Sequence, residues 1–277
     1  MNYEVNKIEP FGIIVQAFEK NTDIKDIPIS KLKNLFNKEH LIVLRGFKTF
    51  SESGEFVNYC DLWGEVSVWP FGKVLELVEH DQPEDHIFDS SYVPLHWDGM
   101  YRKQVPEYQI FHCLEAPLEE KGGRTTFSNT VLALRNSDEE KRRQWSKVIG
   151  NYKREMEFYN SKVVSPVITK HPYKDYSVIR YNEPSSDNEN FINPPNQNFS
   201  GLEASEIQGF HQKLLEVLYD DKNFYAHKWV DGDVVIADNF TLLHGREKFV
   251  SKSPRHIRRV QVLSDPPFNN PGLESYQ

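Results

Sequence analysis

The stretch Pro94-Leu95-His96-Trp97-Asp98-Gly99 carries the most chemical information in this sequence. Successive side chains of a β-strand face opposite sides, so a strand here would project His96 and Asp98 together while Trp97 packs behind them. An imidazole and a carboxylate would then converge on one point. Because a histidine on a strand is more often a core or surface residue than a metal ligand, this stretch alone leaves both interpretations open.

A second histidine, His244, lies in the segment Asp238-Asn239-Phe240-Thr241-Leu242-Leu243-His244-Gly245-Arg246, after an apolar predicted strand. Two imidazoles and one carboxylate form the facial triad of non-haem Fe(II) oxygenases, which leaves coordination positions free for a co-substrate and O₂. Zinc uses the same ligand types and is the rival metal. The candidate metal ligands are therefore His96, Asp98 and His244.

Two arginines follow on a further predicted strand. Arg255 and Arg259 would share one face of it, whereas Arg258 would point the other way. A charged residue inside an apolar strand needs a partner, and arginine is suited to holding a carboxylate through two hydrogen bonds. A structural ion pair would explain either arginine taken alone.

Upstream, the pair Gly122-Gly123 predicts a tight turn that presents the hydroxyl of Thr125. Such a hydroxyl could hydrogen-bond a small acid. The same pattern is also an ordinary hairpin signal.

Composition sets the class of protein. The chain has 277 residues, 38% apolar and 13% aromatic, which is enough for one domain, 1–277, with a sizeable core. A net charge of −8 with scattered Lys and Arg argues against nucleic acid as a partner. Its aliphatic runs are far shorter than the roughly 20 residues of a membrane helix. The N-terminus has no apolar signal core and there are two cysteines, so we expect a cytoplasmic protein.

Short β-rich runs dominate, with a few amphipathic helices between them, which predicts a mainly β fold with flanking α-helices. The predicted strands are Gly12–Phe18, Leu41–Gly46, Val74–Glu79, Tyr108–Glu115, Val167–Lys170, Tyr176–Tyr181, Phe224–Trp229, Val234–Asp238 and Ile257–Leu263. The predicted helices are Ile29–Lys38, Ser51–Trp63, Val131–Lys147 and Glu203–Tyr219. The segment 182–200 is rich in Asn, Pro and Ser, so it is expected to be a mobile surface loop or a lid.

The order of the motifs resembles one family across most of the chain, from about residue 8 to Asp265. The motifs are His96-x-Asp98, Gly122-Gly123-x-Thr125, Asp238-Asn239 leading to His244-Gly245-Arg246, and Arg255-x-x-x-Arg259. Together they resemble the TauD/TfdA (taurine dioxygenase) family of Fe(II)/2-oxoglutarate-dependent oxygenases. The resemblance implies a double-stranded β-helix (jelly roll, cupin-like) core with helices outside.

The same resemblance implies roles for the residues. Fe(II) would be bound by His96, Asp98 and His244. The distal carboxylate of 2-oxoglutarate would be held by Thr125 and Arg259, with Arg255 close to the same co-substrate. Oxidation of 2-oxoglutarate by O₂ to succinate and CO₂ would then drive removal of a hydrogen atom from a small-molecule substrate.

A narrower resemblance concerns the stretches 95–117 and 122–130, which are similar to the branch of the family that works beside isonitrile synthases. That branch makes a vinyl isonitrile by oxidative decarboxylation and desaturation of a tyrosine-derived isonitrile carboxylate, the product of such a synthase. Arg124 stands where sulfonate-cleaving members have an acid, which argues against taurine as the substrate. Candidate substrate contacts are Trp69, Lys73, Tyr101 and Arg102.

Two alternatives remain open at this point. The same machinery could hydroxylate another small acid, such as an amino acid or a sulfonate. The chain could also be a non-catalytic jelly-roll protein that binds a metal or ligand.

Overall fold

The structure, a computed structural model, describes residues 2–156, 159–185 and 191–275. The strands in this part of the chain are β1 Tyr3–Lys7, β2 Ile13–Ala17, β3 Leu41–Arg45, β4 Leu75–Leu77, β5 Val93–His96, β6 Gln104–Glu115, β7 Thr125–Asn129, β8 Ile149–Met156, β9 Tyr159–Pro166, β10 Ile168–Lys170, β11 Ser177–Ile179, β12 Asn196–Ser200, β13 Phe224–His227, β14 Val234–Asp238, β15 Leu242–Arg246, β16 His256–Asn269 and β17 Leu273–Ser275. The helices are α1 Ile29–Glu39, α2 Ser53–Asp61, α3 Thr130–Asn136, α4 Glu139–Trp145 and α5 Ala204–Leu218.

Two sheets face each other and form the predicted jelly roll. The larger has the strand order β1-β2-β3-β14-β6-β16-β4, and the smaller has the order β13-β7-β15-β5. Between them lies an apolar cluster to which β14 contributes Val235 and Ala237 and β7 contributes Phe127. The predicted fold, mainly β with flanking helices around a jelly-roll core, is confirmed.

Helices cover the outer face of the larger sheet. Val234 and Ile236 alternate with the inward residues of β14 and pack into a second cluster with Phe36 of α1 and Phe56 of α2. A third cluster joins the smaller sheet to α5, through Leu243 of β15 and other buried residues. Burial on both faces makes the central strands continuous apolar runs.

Some elements differ from the sequence prediction. The predicted helix Val131–Lys147 is two helices, because Ser137 has an extended backbone and the carboxylate of Asp138 accepts the Lys141 N–H as a new N-cap. The predicted strands do not include β1, β5, β7, β8, β9, β12, β15 or β17. In the segment expected to be a loop, 196–200 forms β12 and pairs with β8, while residues 186–190 lie outside the described residues.

Both cysteines, Cys60 and Cys113, are buried free thiols. Among the described residues, no helix is long and apolar enough to cross a membrane.

The carboxyl group of Glu107 makes the stability of the fold depend on pH. Burial, and then the neighbouring carboxylate of Asp238, raise the pKa of Glu107 from 4.5 to about 7. The folded state therefore holds a proton that the unfolded chain releases, so stability is fully present below pH 4.5 and falls as pH rises to about 7. We expect Glu107→Gln to gain unfolding free energy relative to the wild type across this window, by at most about 3 kcal/mol. Urea denaturation at pH 4.5 and 7.5 measures this, and an equal difference at both pH values would contradict it.

Candidate active site

The candidate metal ligands meet where β5 and β15 pair. His96 is the last residue of β5 and lies opposite His244 of β15, with ring centroids 4.2 Å apart. Asp98 places Oδ1 3.6 Å from His96 Nε2 and Oδ2 3.7 Å from His244 Nε2. One ligand atom from each of the three residues lies within 4.8 Å of the others.

Asp98 reaches this point through a turn and not through strand alternation, since β5 ends at His96. Gly99 follows with φ +82°, which favours glycine. The side-chain amide of Asn239 fixes the turn: Oδ1 accepts the Asp98 N–H at 2.9 Å, and Nδ2 donates to the Asp98 carbonyl at 2.9 Å and to the Pro106 carbonyl at 2.8 Å. The sequence correctly predicts that His96 and Asp98 lie side by side, but the reason is the turn at Asp98 and not the alternation of side chains along a strand.

Two donors hold the outer oxygen of the Asp98 carboxylate. Arg259 Nη1 and Gln261 Nε2 donate to Asp98 Oδ2 at 2.5 and 2.6 Å. Burial alone would raise the pKa of Asp98, but the charge of Arg259 and the imidazoles lower it well below its ordinary value. Asp98 is therefore an anion with Oδ1 left for a metal.

The donor set fits a resident metal ion. Burial, and then the proximity of His96, lower the pKa of His244 well below its ordinary value, so its imidazole is neutral and able to bind a metal. Two imidazoles and one carboxylate on one side of an open cavity leave room for further ligands. This arrangement suits non-haem Fe(II), and its ligand types also suit zinc.

Arg255 is a buried cation at the same cavity. Its Nε donates to the Gly123 carbonyl at 3.2 Å, and none of the described carboxylates forms an ion pair with it. Burial, and then the charge of Arg246, lower its pKa to about 9, so it is charged at neutral pH. Gly123 has φ +81°, and a Cβ there would lie 3.3 Å from Arg255 Cδ. The site thus holds a positive charge that needs an anion.

The hydroxyl of Thr125 also faces the cavity. Thr125 begins β7 directly after the predicted glycine turn, and its Oγ1 accepts the Trp229 indole N–H at 3.0 Å. The hydroxyl proton remains available to a bound anion. Thr125 and the two arginines therefore line the same cavity as the metal ligands, as predicted.

Arg258 points away from Arg255 and Arg259, as the alternation of side chains predicts. Its Nε donates to Glu76 Oε1 at 3.2 Å, and Glu76 lies on β4, the edge strand beside β16. Arg258 does not line the cavity.

The cavity measures about 380 Å³ and has aromatic walls. The aromatic residues in its lining are Trp69, Phe71, Phe88, Trp97, Tyr101, Phe111 and Phe191. Polar groups interrupt them: Arg154 pairs with Asp85, and Glu183 accepts the Leu95 N–H at 2.9 Å. Burial raises the pKa of Glu183. The cavity suits an aromatic molecule that carries a few polar groups.

Two of the four predicted substrate contacts belong to this lining and two do not. Trp69 and Tyr101 line the cavity. Lys73 lies outside it, with an exposed side chain 3.9 Å from Asp61. Arg102 folds over the Trp69 ring, 4.5 Å from its centroid, and donates to the Val68 carbonyl. Neither closeness in sequence to the metal ligands nor a place in the region where the resembled family often builds its pocket brings these two cations into the cavity.

Comparison with known proteins identifies the family. The profile described as "Taurine catabolism dioxygenase TauD, TfdA family" matches residues 5–261. The chain belongs to the TauD/TfdA family. The family resemblance inferred from the motif order is therefore confirmed.

Similar members of the TauD/TfdA family have been described. A tyrosine isonitrile desaturase of Pseudomonas aeruginosa is 42% identical over 265 residues, covering 95% of this chain and 91% of that protein. One of Erwinia amylovora is 43% identical over 261 residues, covering 94% and 89%. The solved structure of PvcB, described as an Fe, alpha-ketoglutarate dependent oxygenase from an isonitrile synthetic pathway, has a TM-score of 0.86 at 37% identity, with 99% and 96% of the chains covered.

Sequence reasoning missed several polar residues of this TauD/TfdA site. Gln261 continues the alternation that begins at Arg255, just before β16, and passes through Arg259, so the same pattern could have found it. Asn239 lies inside a quoted motif, but its role depends on a turn that is 141 residues away. Asp85, Arg154 and Glu183 carry no local signal, because only the folded chain brings them to the cavity.

The support that Asn239 gives to the turn leads to a prediction. Asn239→Ala removes every hydrogen bond that the side-chain amide makes to Asp98 and Pro106, so the metal-binding carboxylate loses its fixed position. We expect the affinity for Fe(II) to fall about 10- to 100-fold, as is typical when a group behind a metal ligand is lost. Anaerobic titration with Fe(II) measures this. Asn136→Ala, which removes an amide remote from the cavity, is the control, and equal affinities in the two variants would contradict the prediction.

Proposed function

We propose that this protein is an Fe(II)- and 2-oxoglutarate-dependent oxygenase that converts tyrosine isonitrile, the product of an isonitrile synthase, into a vinyl isonitrile. The observation that carries the proposal is the metal-binding triad in an aromatic cavity that also holds a buried Arg255 with no carboxylate partner among the described residues. The names of the two relatives, both more than 40% identical, supply the substrate.

The residues of the triad would hold Fe(II) through His96, Asp98 and His244. The chemistry that Fe(II) supplies when bound with 2-oxoglutarate and O₂ is oxidation of a carbon–hydrogen bond, coupled to formation of succinate and CO₂. Overall, the isonitrile carboxylate, 2-oxoglutarate and O₂ would give the vinyl isonitrile, succinate, two CO₂ and water. The protein's contribution is to position the reacting carbon and to exclude water.

The contacts of Arg255 and Arg259 favour other roles than the sequence resemblance implies, which gave the distal carboxylate of 2-oxoglutarate to Arg259. Arg259 already donates to Asp98, so its charge serves the metal-binding carboxylate. Arg255 has no carboxylate partner among the described residues, and we infer that it holds the distal carboxylate of 2-oxoglutarate together with Thr125. The bound co-substrate would then supply the missing anion of the buried guanidinium.

The walls of the cavity would select the substrate. Stacking against rings such as Trp69 and Phe191 favours an aromatic side chain. Residues 182, 183, 185, 191 and 195 of the predicted loop also line the cavity, which supports the proposal that these residues help to close it over the substrate, whereas 196–200 belong to β12. A cytoplasmic location remains a prediction from the sequence.

The test is a substrate panel of tyrosine isonitrile, tryptophan isonitrile, tyrosine and taurine, each with Fe(II), 2-oxoglutarate and O₂. We expect one succinate for each tyrosine isonitrile consumed, and a product with two coupled vinylic protons by NMR. Release of succinate without oxidation of the isonitrile would refute the proposed substrate. An alcohol product would refute desaturation, and oxidation that does not need 2-oxoglutarate would refute the reaction class.

A further inference from the structure

Trp69 connects the aromatic wall of the cavity to the metal site. Its backbone N–H and carbonyl form a pair of hydrogen bonds with Gly72, at 2.9 and 2.8 Å, and its ring stacks on Phe71 with centroids 5.6 Å apart. The preceding Ser67 N–H donates to the Gln261 carbonyl at 2.8 Å, which ties this segment to β16. These contacts fix the position of the Trp69 indole. Its ring forms part of the cavity wall.

The indole N–H ends on Gln261, which is buried and 2% exposed. Trp69 Nε1 donates to Gln261 Oε1 at 2.9 Å, and Gln261 Nε2 donates to Asp98 Oδ2 at 2.6 Å. The chemistry of the partners fixes the orientation of the amide, because an indole N–H can only donate and an ionised carboxylate can only accept. Trp69, Gln261 and Asp98 thus form one directed chain of hydrogen bonds.

We propose that Trp69 and Gln261 are positioning residues that couple occupancy of the aromatic cavity to the orientation of the metal-binding carboxylate of Asp98. This inference rests on the proposed function, because it takes the aromatic cavity as the substrate site.

The coupling depends on the different contacts of the two carboxylate oxygens of Asp98. Gln261 and Arg259 hold Oδ2, so Oδ1 faces His96 and is left for the metal. A substrate ring that packs on Trp69 shifts or stiffens the indole, and the rigid amide of Gln261 passes this to Oδ2. Arg259 also donates to Oδ2, but a guanidinium and an indole N–H are both donors and cannot hydrogen-bond each other, so the Gln261 amide provides the direct hydrogen-bonded route from the wall to the carboxylate.

The test uses the full chain under argon and follows the visible charge-transfer band of the Fe(II)–2-oxoglutarate complex. Trp69→Phe keeps an aromatic ring in the wall and removes the N–H donor together with part of the ring area of the indole. Trp145→Phe is the matched control, because it is the same substitution at a buried tryptophan that does not line the cavity. We expect saturating tyrosine isonitrile to shift the band in the wild type and in Trp145→Phe, but not in Trp69→Phe.

A second measurement does not need the substrate. Gln261→Met removes both hydrogen bonds of the amide at similar side-chain length, and we expect Fe(II) affinity in the presence of 2-oxoglutarate to fall about 10-fold. Far-UV circular dichroism checks that each variant is folded.

The outcomes separate the two proposals. A shift in Trp69→Phe equal to that of the wild type overturns the coupling. Unchanged Fe(II) affinity in Gln261→Met overturns the positioning role. A wild-type band that does not respond to tyrosine isonitrile refutes the proposed substrate, and the affinity of Gln261→Met then decides the positioning role alone.

Discussion

We expect that replacing His96 with alanine abolishes the Fe(II)–2-oxoglutarate charge-transfer band and leaves the protein folded. The imidazole supplies one of three ligands at the end of β5, and the remaining pair, Asp98 and His244, cannot define the same site. We expect Fe(II) affinity to fall by more than about 100-fold, the upper end of what loss of a group behind a ligand costs. The hydrophobic clusters of the fold do not include His96, so the melting temperature should change little.

The control for this variant is His256→Ala. His256 lies at the start of the same strand as Arg259, but its imidazole pairs with Glu76 away from the cavity. This variant should keep the full band at the same Fe(II) concentration. A band of normal intensity in His96→Ala, recorded by anaerobic absorption spectroscopy, would exclude His96 as a ligand.

Replacing Arg255 with methionine separates function from stability. Loss of the guanidinium leaves the distal carboxylate of 2-oxoglutarate without its cation, and removing one partner of a buried ion pair costs about 3 kcal/mol or more. We therefore expect the dissociation constant for 2-oxoglutarate to rise at least about 100-fold. Without 2-oxoglutarate, the wild type buries the Arg255 cation, and none of the described carboxylates pairs with it. The variant should therefore be at least as stable as the wild type.

Arg246 provides the matched comparison, since it is also a buried arginine in the cavity lining. Its guanidinium donates to the carbonyls of residues 86, 87, 89 and 91, and these bonds hold the segment that precedes β5. Arg246→Met leaves those carbonyls without donors, so it should lower the unfolding free energy by several kcal/mol. Isothermal titration with 2-oxoglutarate and thermal unfolding measure both effects. A clear loss of stability in Arg255→Met would show that its charge has a structural partner.

The pattern of the strands explains which elements could be predicted. Strands such as β2 and β14 are bounded by turn residues and contain β-branched runs, so they were predicted within one or two residues. The strand β15 reads Leu242-Leu243-His244-Gly245-Arg246 and is buried on both faces, so it has no alternation of apolar and polar residues. It was therefore interpreted as a turn-rich segment, although it carries a candidate metal ligand.

The candidate site also contains features that a local pattern predicts and features that it does not. Counted from Arg255, the residue before β16, the period of two places Arg255 and Arg259 on one face and Arg258 on the other, because side-chain direction in an extended chain depends only on local geometry. Which arginine meets Asp98 could not be predicted, since that depends on the turn held by Asn239. The places of Lys73 and Arg102 in the chain predict that they contact the substrate, but the packing of the folded chain leaves both outside the cavity.

The sequence by itself determined the family, the fold class and the candidate metal-binding triad, because motif order and side-chain type carry that information along the chain. Only the tertiary structure decided that Arg259 and Gln261 hold Asp98, that Arg255 is left without a described carboxylate, and that Trp69 joins the cavity wall to the metal site. The physical reason is that hydrogen bonds and ion pairs depend on ångström-scale distances between residues far apart in the chain. Strand register and turns set those distances, and no local pattern records them.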